Sequence, residues 1–300
     1  MMKEPILVVM AAGMGSRYGG LKQMDELGPN GETILDFSIR DAFDAGFRRV
    51  IFIVKEEFKA EFERKIGLPA SELMTVEYVI QSLNQLPVDV NLPLERQKPL
   101  GTAHAVWCAK ESIDAPFAVI NADDYYGVHA YQQMYAFLSN LKQHQHYAMV
   151  GYALGQTLSP NGVVSRGLCT LGMNHELLEI KELTQIEAFE SSARYREENS
   201  SNWQEVALDR IVSMNLWGFP VEFLDVLERE LIRMLQTMTK EALLKEECYL
   251  PSVVERQIST GVATVTVLET DARWFGVTYK EDKAFVKEQL AKVNRKGREL

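Results

Sequence analysis

Over the first half of the chain, short apolar runs alternate with stretches whose apolar residues recur at helical spacing. Strand-length runs occur at ILVVM (6–10), RVIFIV (49–54), VEYVI (76–80) and FAVIN (117–121). Between them, ETILDFSIRDAFDAGF has apolar residues on one helical face and is expected to close on Gly46. EEFKAEFERKIG is amphipathic and is expected to close on Gly67. This strand, helix, strand order predicts a largely parallel sheet with helices packed on it.

Beyond NADDYYG (121–127) the pattern predicts a helix over HAYQQMYAFLSNLKQ and a strand over YAMVGYAL. It then loosens. Residues 155–205 mix short strands with EAFESSARYREENSSN, whose polar, Glu- and Ser-rich composition reads as an exposed loop. Regularity returns with the strand IVSMNLWGF, a helix from Val221 to Gln236, another near Tyr249 to Ile258, the strand ATVTVLE and a terminal helix from about Lys280. No repeat or linker interrupts the chain, so residues 1–128 and 129–300 are expected to share one continuous sheet.

Composition narrows the chemistry. A chain of 300 residues, 46% hydrophobic and 25% charged, is large enough for a substantial core. No apolar run reaches the length of a membrane span, and MMKEPILVVM does not read as a signal peptide, so a cytoplasmic location is expected. A formal net charge of −10 argues against nucleic acid or anionic membrane as partners and leaves small anions, held by local cations and backbone N–H groups. Cys108, Cys169 and Cys248 lack metal or redox spacing and read as buried free thiols. The five histidines show no HExxH pairing, and no GxSxG elbow occurs.

The first strand runs into AAGMGSRYGGLKQ. A glycine loop there suits phosphate, because glycine lets the backbone approach the anion and exposes N–H groups to it. A dinucleotide fingerprint would need a third glycine where Tyr18 stands. A Walker A loop from Gly15 would need lysine where Leu21 stands. A plain tight turn, with its arginine paired to a surface carboxylate, is the remaining local alternative.

The same stretch resembles the N-terminal motif of the sugar-nucleotide pyrophosphorylases, roughly [LA]-[AG]-G-x-G-[ST]-R followed by a lysine. Ala11, Ala12, Gly13, Met14, Gly15, Ser16 and Arg17 supply the motif, and Lys22 follows after a shorter gap than usual. The resemblance implies a Rossmann-like, GT-A-like three-layer α/β fold with a mostly parallel central sheet. It also implies transfer of a nucleotidyl group from an NTP to a sugar 1-phosphate, with release of pyrophosphate and with Mg²⁺ as cofactor. Residues 1–128 would be the nucleotide half and 129–300 the acceptor half. Arg17 would serve the leaving pyrophosphate, and Lys22 the α-phosphate and the incoming phosphate.

Further matches follow in order. In KPLGTAHAVWCAKE, Gly101 matches a glycine that packs under the nucleobase, and Thr102 is placed to cap the helix after it. Either Gln81 or Gln97 could be the base-reading glutamine. In NADDYYG, Asp123 matches the metal-binding aspartate, with Asp124 beside it as a second candidate and a possible acceptor contact. Gly162, Glu182 and Asn215 match acceptor-contacting positions, but Leu183 stands where the family has a lysine. Arg166 or Lys280 would have to replace that lysine, though each reads more simply as a solvated surface charge. Gly276 replaces a second metal-binding aspartate, leaving Asp271, Asp282 or a single carboxylate to serve. A non-sugar phosphorylated acceptor and a non-catalytic nucleotide sensor are the competing functions, and a homo-oligomer is compatible with each.

Overall fold

The computed structural model describes residues 3–13, 22–197, 200 and 202–296. Its centre is an 11-stranded sheet. Strands β1 (Ile6–Met10), β2 (Arg49–Val54), β3 (Thr75–Ile80) and β4 (Phe117–Asn121) pair in parallel in the order β4-β1-β2-β3. A two-residue strand, β5 (Asp124–Tyr125), follows β4 but lies outside this sheet. The strands of the second half join the β4 edge: β6 (His146–Ala153), β7 (Val164–Leu171), β8 (Leu177–Phe189), β9 (Ser192–Tyr195), β10 (Gln204–Val206), β11 (Ile211–Phe219) and β12 (Thr264–Glu269). Here β11 pairs β4, β6 and β7 antiparallel, while β12 pairs β6 in parallel. The two halves therefore share one sheet. Finally β13 (Phe275–Gly276) forms a separate two-stranded ladder with β5.

Alternate residues of β1 enter opposite cores, because side chains on a strand point alternately to its two faces. Leu7 and Val9 pack with Leu35, Ile39, Tyr131 and Met134 of helices α1 (Ile34–Ala45) and α5 (Val128–Ser139). Ile6 and Val8 pack with residues of α4 (Thr102–Cys108), α6 (Phe223–Thr237) and α7 (Leu250–Ser259). Strands covered on both faces need to be apolar throughout, which explains the unbroken ILVVM run. The result is a three-layer α/β sandwich.

Local signals set the helix ends. Thr33 and Asp36 form a reciprocal capping box on α1, and Gly46, at φ 123°, donates its N–H to Ala42 O and Phe43 O as the helix closes. Gly67 does not close its helix. The short helices α2 (Lys59–Phe62) and α3 (Leu68–Ser71) are joined through it by a π-helical stretch (Glu63–Gly67). A Cβ on Gly67 would lie 1.6 Å from Tyr78 Oη, so the glycine makes room for a tyrosine rather than for a turn.

Two further expectations change. The stretch EAFESSARY is a hairpin, not a loop: Glu187–Phe189 of β8 pair with β9, with Arg194 Nε 2.7 Å from Glu187 Oε1. Cross-strand ion pairs let a polar sequence form an edge hairpin. Of the three free cysteines, Cys108 and Cys169 are buried and Cys248 is half-buried. The terminal helix, α8 (Asp282–Lys296), begins two residues beyond Lys280.

Candidate active site

The C-terminal ends of β1, β3 and β4 meet the start of α4 around a cavity of about 330 Å³. Open parallel sheets bind ligands at this edge. Ala11, Ala12 and Gly13 line it from β1, Gln81 from β3, Asn121 and Asp123 from β4, and Gly101 and Thr102 from α4. Met14, Gly15, Ser16 and Arg17 lie outside the described residues, as does the Lys22 side chain. Gly13 and Gln23, on either side of that segment, both line the cavity.

Gly101 is required by the fold itself. Its φ is 96°, and a Cβ would lie 2.4 Å from Cys248 O. Thr102 does not cap its own helix. The N-cap is Gly101, and the Thr102 hydroxyl accepts instead from Leu250 N at 2.8 Å, at the start of α7. One hydroxyl thus joins two helix N-termini.

The choice between the two glutamines is geometric. Gln97 is exposed and does not line the cavity, whereas Gln81 does. His104, fully buried, orients Gln81. Its Nε2 lies 2.7 Å from Gln85 O, a group that only accepts, so Nε2 carries the proton and Nδ1 is an acceptor. Gln81 Nε2 then donates to His104 Nδ1 at 3.3 Å and to Gly101 O at 3.2 Å. Both amide N–H groups are used, leaving Oε1 to accept from a ligand. Burial holds the His104 pKa below its usual value, which favours the neutral ring this network requires.

A second cavity, of about 250 Å³, adjoins the first, and Asn121 and Asp123 line both. Its walls carry Asp124, Glu182, Asn215, Ser165, Ser213 and Thr278, a set rich in hydrogen-bonding groups. Glu182 faces it while the next residue, Leu183, is in the core, as strand alternation dictates. Asn215 sits at φ 62° where the β11 ladder to β6 shifts register between Ser213 and Trp217. Bulges of this kind re-aim a side chain beside a site, and asparagine tolerates the left-handed conformation.

Three acceptor-side candidates differ in their surroundings. Gly162 does not line the cavity. A Cβ on it would lie 2.9 Å from the Tyr279 ring, and Tyr279 Oη donates to Val163 O at 2.6 Å, so the glycine seats a tyrosine; Gly167 lines the cavity instead. Arg166 is buried, not solvated, and lines the second cavity. It stacks 4.7 Å over the Trp274 ring and donates to Thr157 Oγ1, Thr157 O and Ser165 O. Burial pushes its pKa down to about 10 against the opposing charges of Asp124, Glu182 and Asp282. Lys280 is exposed, as a surface charge.

Neither proposed substitute for the aspartate missing at Gly276 reaches the site. Asp271 is exposed and pairs with His129 Nδ1 at 2.7 Å. Asp282 is buried and accepts from Ser159, Asn161 and the backbone N–H groups of Thr278 and Tyr279. Asp124 is itself tied, its Oδ2 accepting from Asn121 Nδ2 at 2.8 Å. Among the described residues no group of three acidic, histidine or cysteine side chains is placed to hold a metal.

Sequence reasoning overlooked Gln23, Asn121 and Glu247, all of which line the first cavity. Gln23 is buried with its Nε2 donating to Ala11 O at 3.1 Å, and its signal was its place directly after Lys22. Glu247 had no such signal, being more than a hundred residues from the rest of the cavity.

A three-layer α/β fold with a mostly parallel sheet and two joined cavities at its carboxyl edge places the chain in the Rossmann-like class. Residues 6–189 match the family described as nucleotidyl transferase, and the chain belongs to that family. It is a nucleotidyltransferase. No curated protein matches its sequence. Among solved structures it is similar to the inositol-1-phosphate CTP transferase from T. maritima, with a TM-score of 0.59 at 13% identity over 97% of this chain and 96% of that one. It is also similar to UDP-glucose pyrophosphorylase from Acinetobacter baumanii, with a TM-score of 0.57 at 16% identity over 99% and 98% of the two chains. A structure from Bacillus anthracis assigned as a glucose-1-phosphate thymidylyltransferase gives 0.60 at 12% identity over 95% of each chain. At these identities the likeness is one of fold. No helix among the described residues is long and apolar enough to cross a membrane.

Proposed function

We propose that the protein joins an NTP to a sugar 1-phosphate, giving an NDP-sugar and pyrophosphate. The observation that carries this reading is that Asn121 and Asp123 line both cavities, so ligands in the two would meet at the end of β4. The first cavity, with backbone from β1, Gly101 and the Gln81 carbonyl, suits a nucleotide. The second, with Glu182, Asn215 and Ser213, suits a ligand rich in hydroxyls. Residues 1–128 then form the nucleotide half and 129–300 the acceptor half.

The chemistry needs no protein nucleophile. An oxygen of the acceptor phosphate attacks the α-phosphorus in line, the new P–O bond forms, and the bond to the β-phosphate breaks with its electron pair leaving on pyrophosphate. The protein's part is to position two anions and offset their repulsion. The β1 backbone would hold the nucleotide, Gln81 the base, and Glu182 and Asn215 the acceptor hydroxyls. Arg17 is assigned to the leaving pyrophosphate and Lys22 to the α-phosphate and the incoming phosphate.

The donor set around Asp123 fits Mg²⁺ of the kind that takes one carboxylate and completes its shell with phosphate oxygens and water. Asp123 would hold it, and its charge would help neutralise the phosphates. Asp124, already committed to Asn121, is a poorer ligand.

A pyrophosphate-release screen of the four NTPs against phosphorylated acceptors, with and without Mg²⁺, tests the reading. Release is expected only when NTP, acceptor and Mg²⁺ are all present, with a sugar 1-phosphate as the best acceptor. Release only with phosphocholine or a cofactor phosphate would replace the sugar. NTP binding with no release from any acceptor would mark a nucleotide sensor.

A further inference from the structure

Arg96 is 5% exposed, and its guanidinium donates to four main-chain carbonyls. Nε reaches Lys98 O at 2.8 Å, Nη2 reaches Pro99 O at 2.6 Å and Glu246 O at 2.8 Å, and Nη1 reaches Leu243 O at 2.6 Å. Two of these carbonyls precede Gly101. The other two belong to the strap that leads into α7. A buried guanidinium is costly unless its donors are used, and here they are used to join two chain segments about 150 residues apart.

The strap continues along the nucleotide cavity. Cys248 N donates to Leu100 O at 2.8 Å, and Ala103 N donates to Cys248 O at 2.9 Å. Between the Glu246 carbonyl that Arg96 holds and Cys248 stands Glu247, which lines the cavity beside Pro99 and Gly101. Its side chain is 18% exposed, with the largely exposed Lys98 Nζ 3.8 Å away.

We propose that Arg96 is a positioning residue for nucleotide binding. It clamps the 243–248 strap against Pro99–Gly101, so that the Glu247 carboxylate faces the cavity and accepts a hydrogen bond from a hydroxyl or amino donor of the nucleoside. A carboxylate can only accept, and ribose hydroxyls and base amino groups are the donors a nucleoside offers. This inference rests on the nucleotide reading of the cavity.

Calorimetric titration of Mg²⁺ with each NTP into the wild type, R96K, E247Q and the double variant tests it, alongside thermal unfolding of all four. R96K and E247Q are each expected to weaken the best-bound NTP by roughly tenfold, and the double variant to be no weaker than the weaker single, because both remove one contact. If Arg96 only stabilises the fold, R96K will melt lower yet bind NTP as the wild type does, or will combine multiplicatively with E247Q. Either result overturns the proposal. E247Q leaves every Arg96 bond in place, so it decides the matter even where R96K does not fold: affinity within about twofold of wild type sinks the idea. Titrating 2′-deoxy and 3′-deoxy NTPs into wild type and E247Q separates the donors, since a ribose contact predicts that the loss disappears with the analogue lacking that hydroxyl and a base contact that it persists with both. A wild type that binds no NTP would instead remove the nucleotide cavity itself, which distinguishes the two failures.

Discussion

Asp124 fills the space that a side chain at Gly276 would need. A Cβ there would lie 2.7 Å from Asp124 Oδ1 and 3.1 Å from the Trp274 ring, and the β5–β13 ladder pairs Gly276 with Asp124 directly. Any side chain at position 276 would therefore compete with the Asp124 carboxylate for the same space. Gly276→Ala is expected to lower stability by about 1–3 kcal/mol through overpacking. Gly276→Asp should cost more, because it sets a like charge against Asp124. Urea unfolding of both variants checks this, and a Gly276→Asp protein as stable as wild type would show that Asp124 readily moves aside.

Asp123 stands where the two cavities join, so its removal should act on turnover more than on folding. Asp123→Asn is expected to lower kcat by on the order of 10² to 10⁴ while the melting temperature stays near that of wild type. Pyrophosphate release at saturating substrates is the measurement. Activity within about fivefold of wild type would take Asp123 out of the mechanism.

The parallel half of the sheet was legible because periodicity reports burial. ILVVM, RVIFIV and FAVIN are buried between two helical layers, VEYVI forms the edge strand beside them, and all four strands fall within one residue of the apolar runs. The hairpin of β8 and β9 was not legible, since its polar residues are stabilised across strands by pairs such as Arg194 with Glu187, which a linear pattern does not display. At the site, Gly13, Asp123, Glu182 and Asn215 were read from motifs and do line the cavities. Gly162 has a packing role that its motif match did not reveal, because a glycine that seats Tyr279 looks the same in sequence as one that approaches a ligand. Glu247 and the clamp by Arg96 depend on contacts between distant segments and leave no local trace.

The two glutamines separate cleanly in an experiment. Gln97 is exposed outside the cavity, so Gln97→Ala should leave the KM for NTP within about twofold of wild type. Gln81→Ala removes its amide from the cavity wall and takes the Gln81 donor away from His104 Nδ1, so the KM for NTP should rise by roughly tenfold with a smaller change in kcat. Equal effects of the two variants would overturn the assignment of Gln81.

Asp41, on α1, gives the fold a pH dependence separable from catalysis. Burial pushes its carboxyl up to about 7, against the hydrogen bond from Tyr125, while the nearby Asp44 charge adds to the rise. Its Oδ2 is buried without a hydrogen-bond partner. In the unfolded chain the group returns to an ordinary aspartate pKa near 3.8. Between these two values the folded protein binds the extra proton. Stability from this group is therefore full below about pH 4, falls as pH rises toward 7, and is level above that, with a total change of at most about 4 kcal/mol. Asp41→Asn keeps the neutral form at every pH. Relative to wild type, the variant should gain stability in urea unfolding as pH is raised from about 5 to about 8, and the difference should vanish near pH 4. A difference that stays constant across that range would mean that Asp41 is already ionised in the folded protein, with a counter-charge close enough to hold it so.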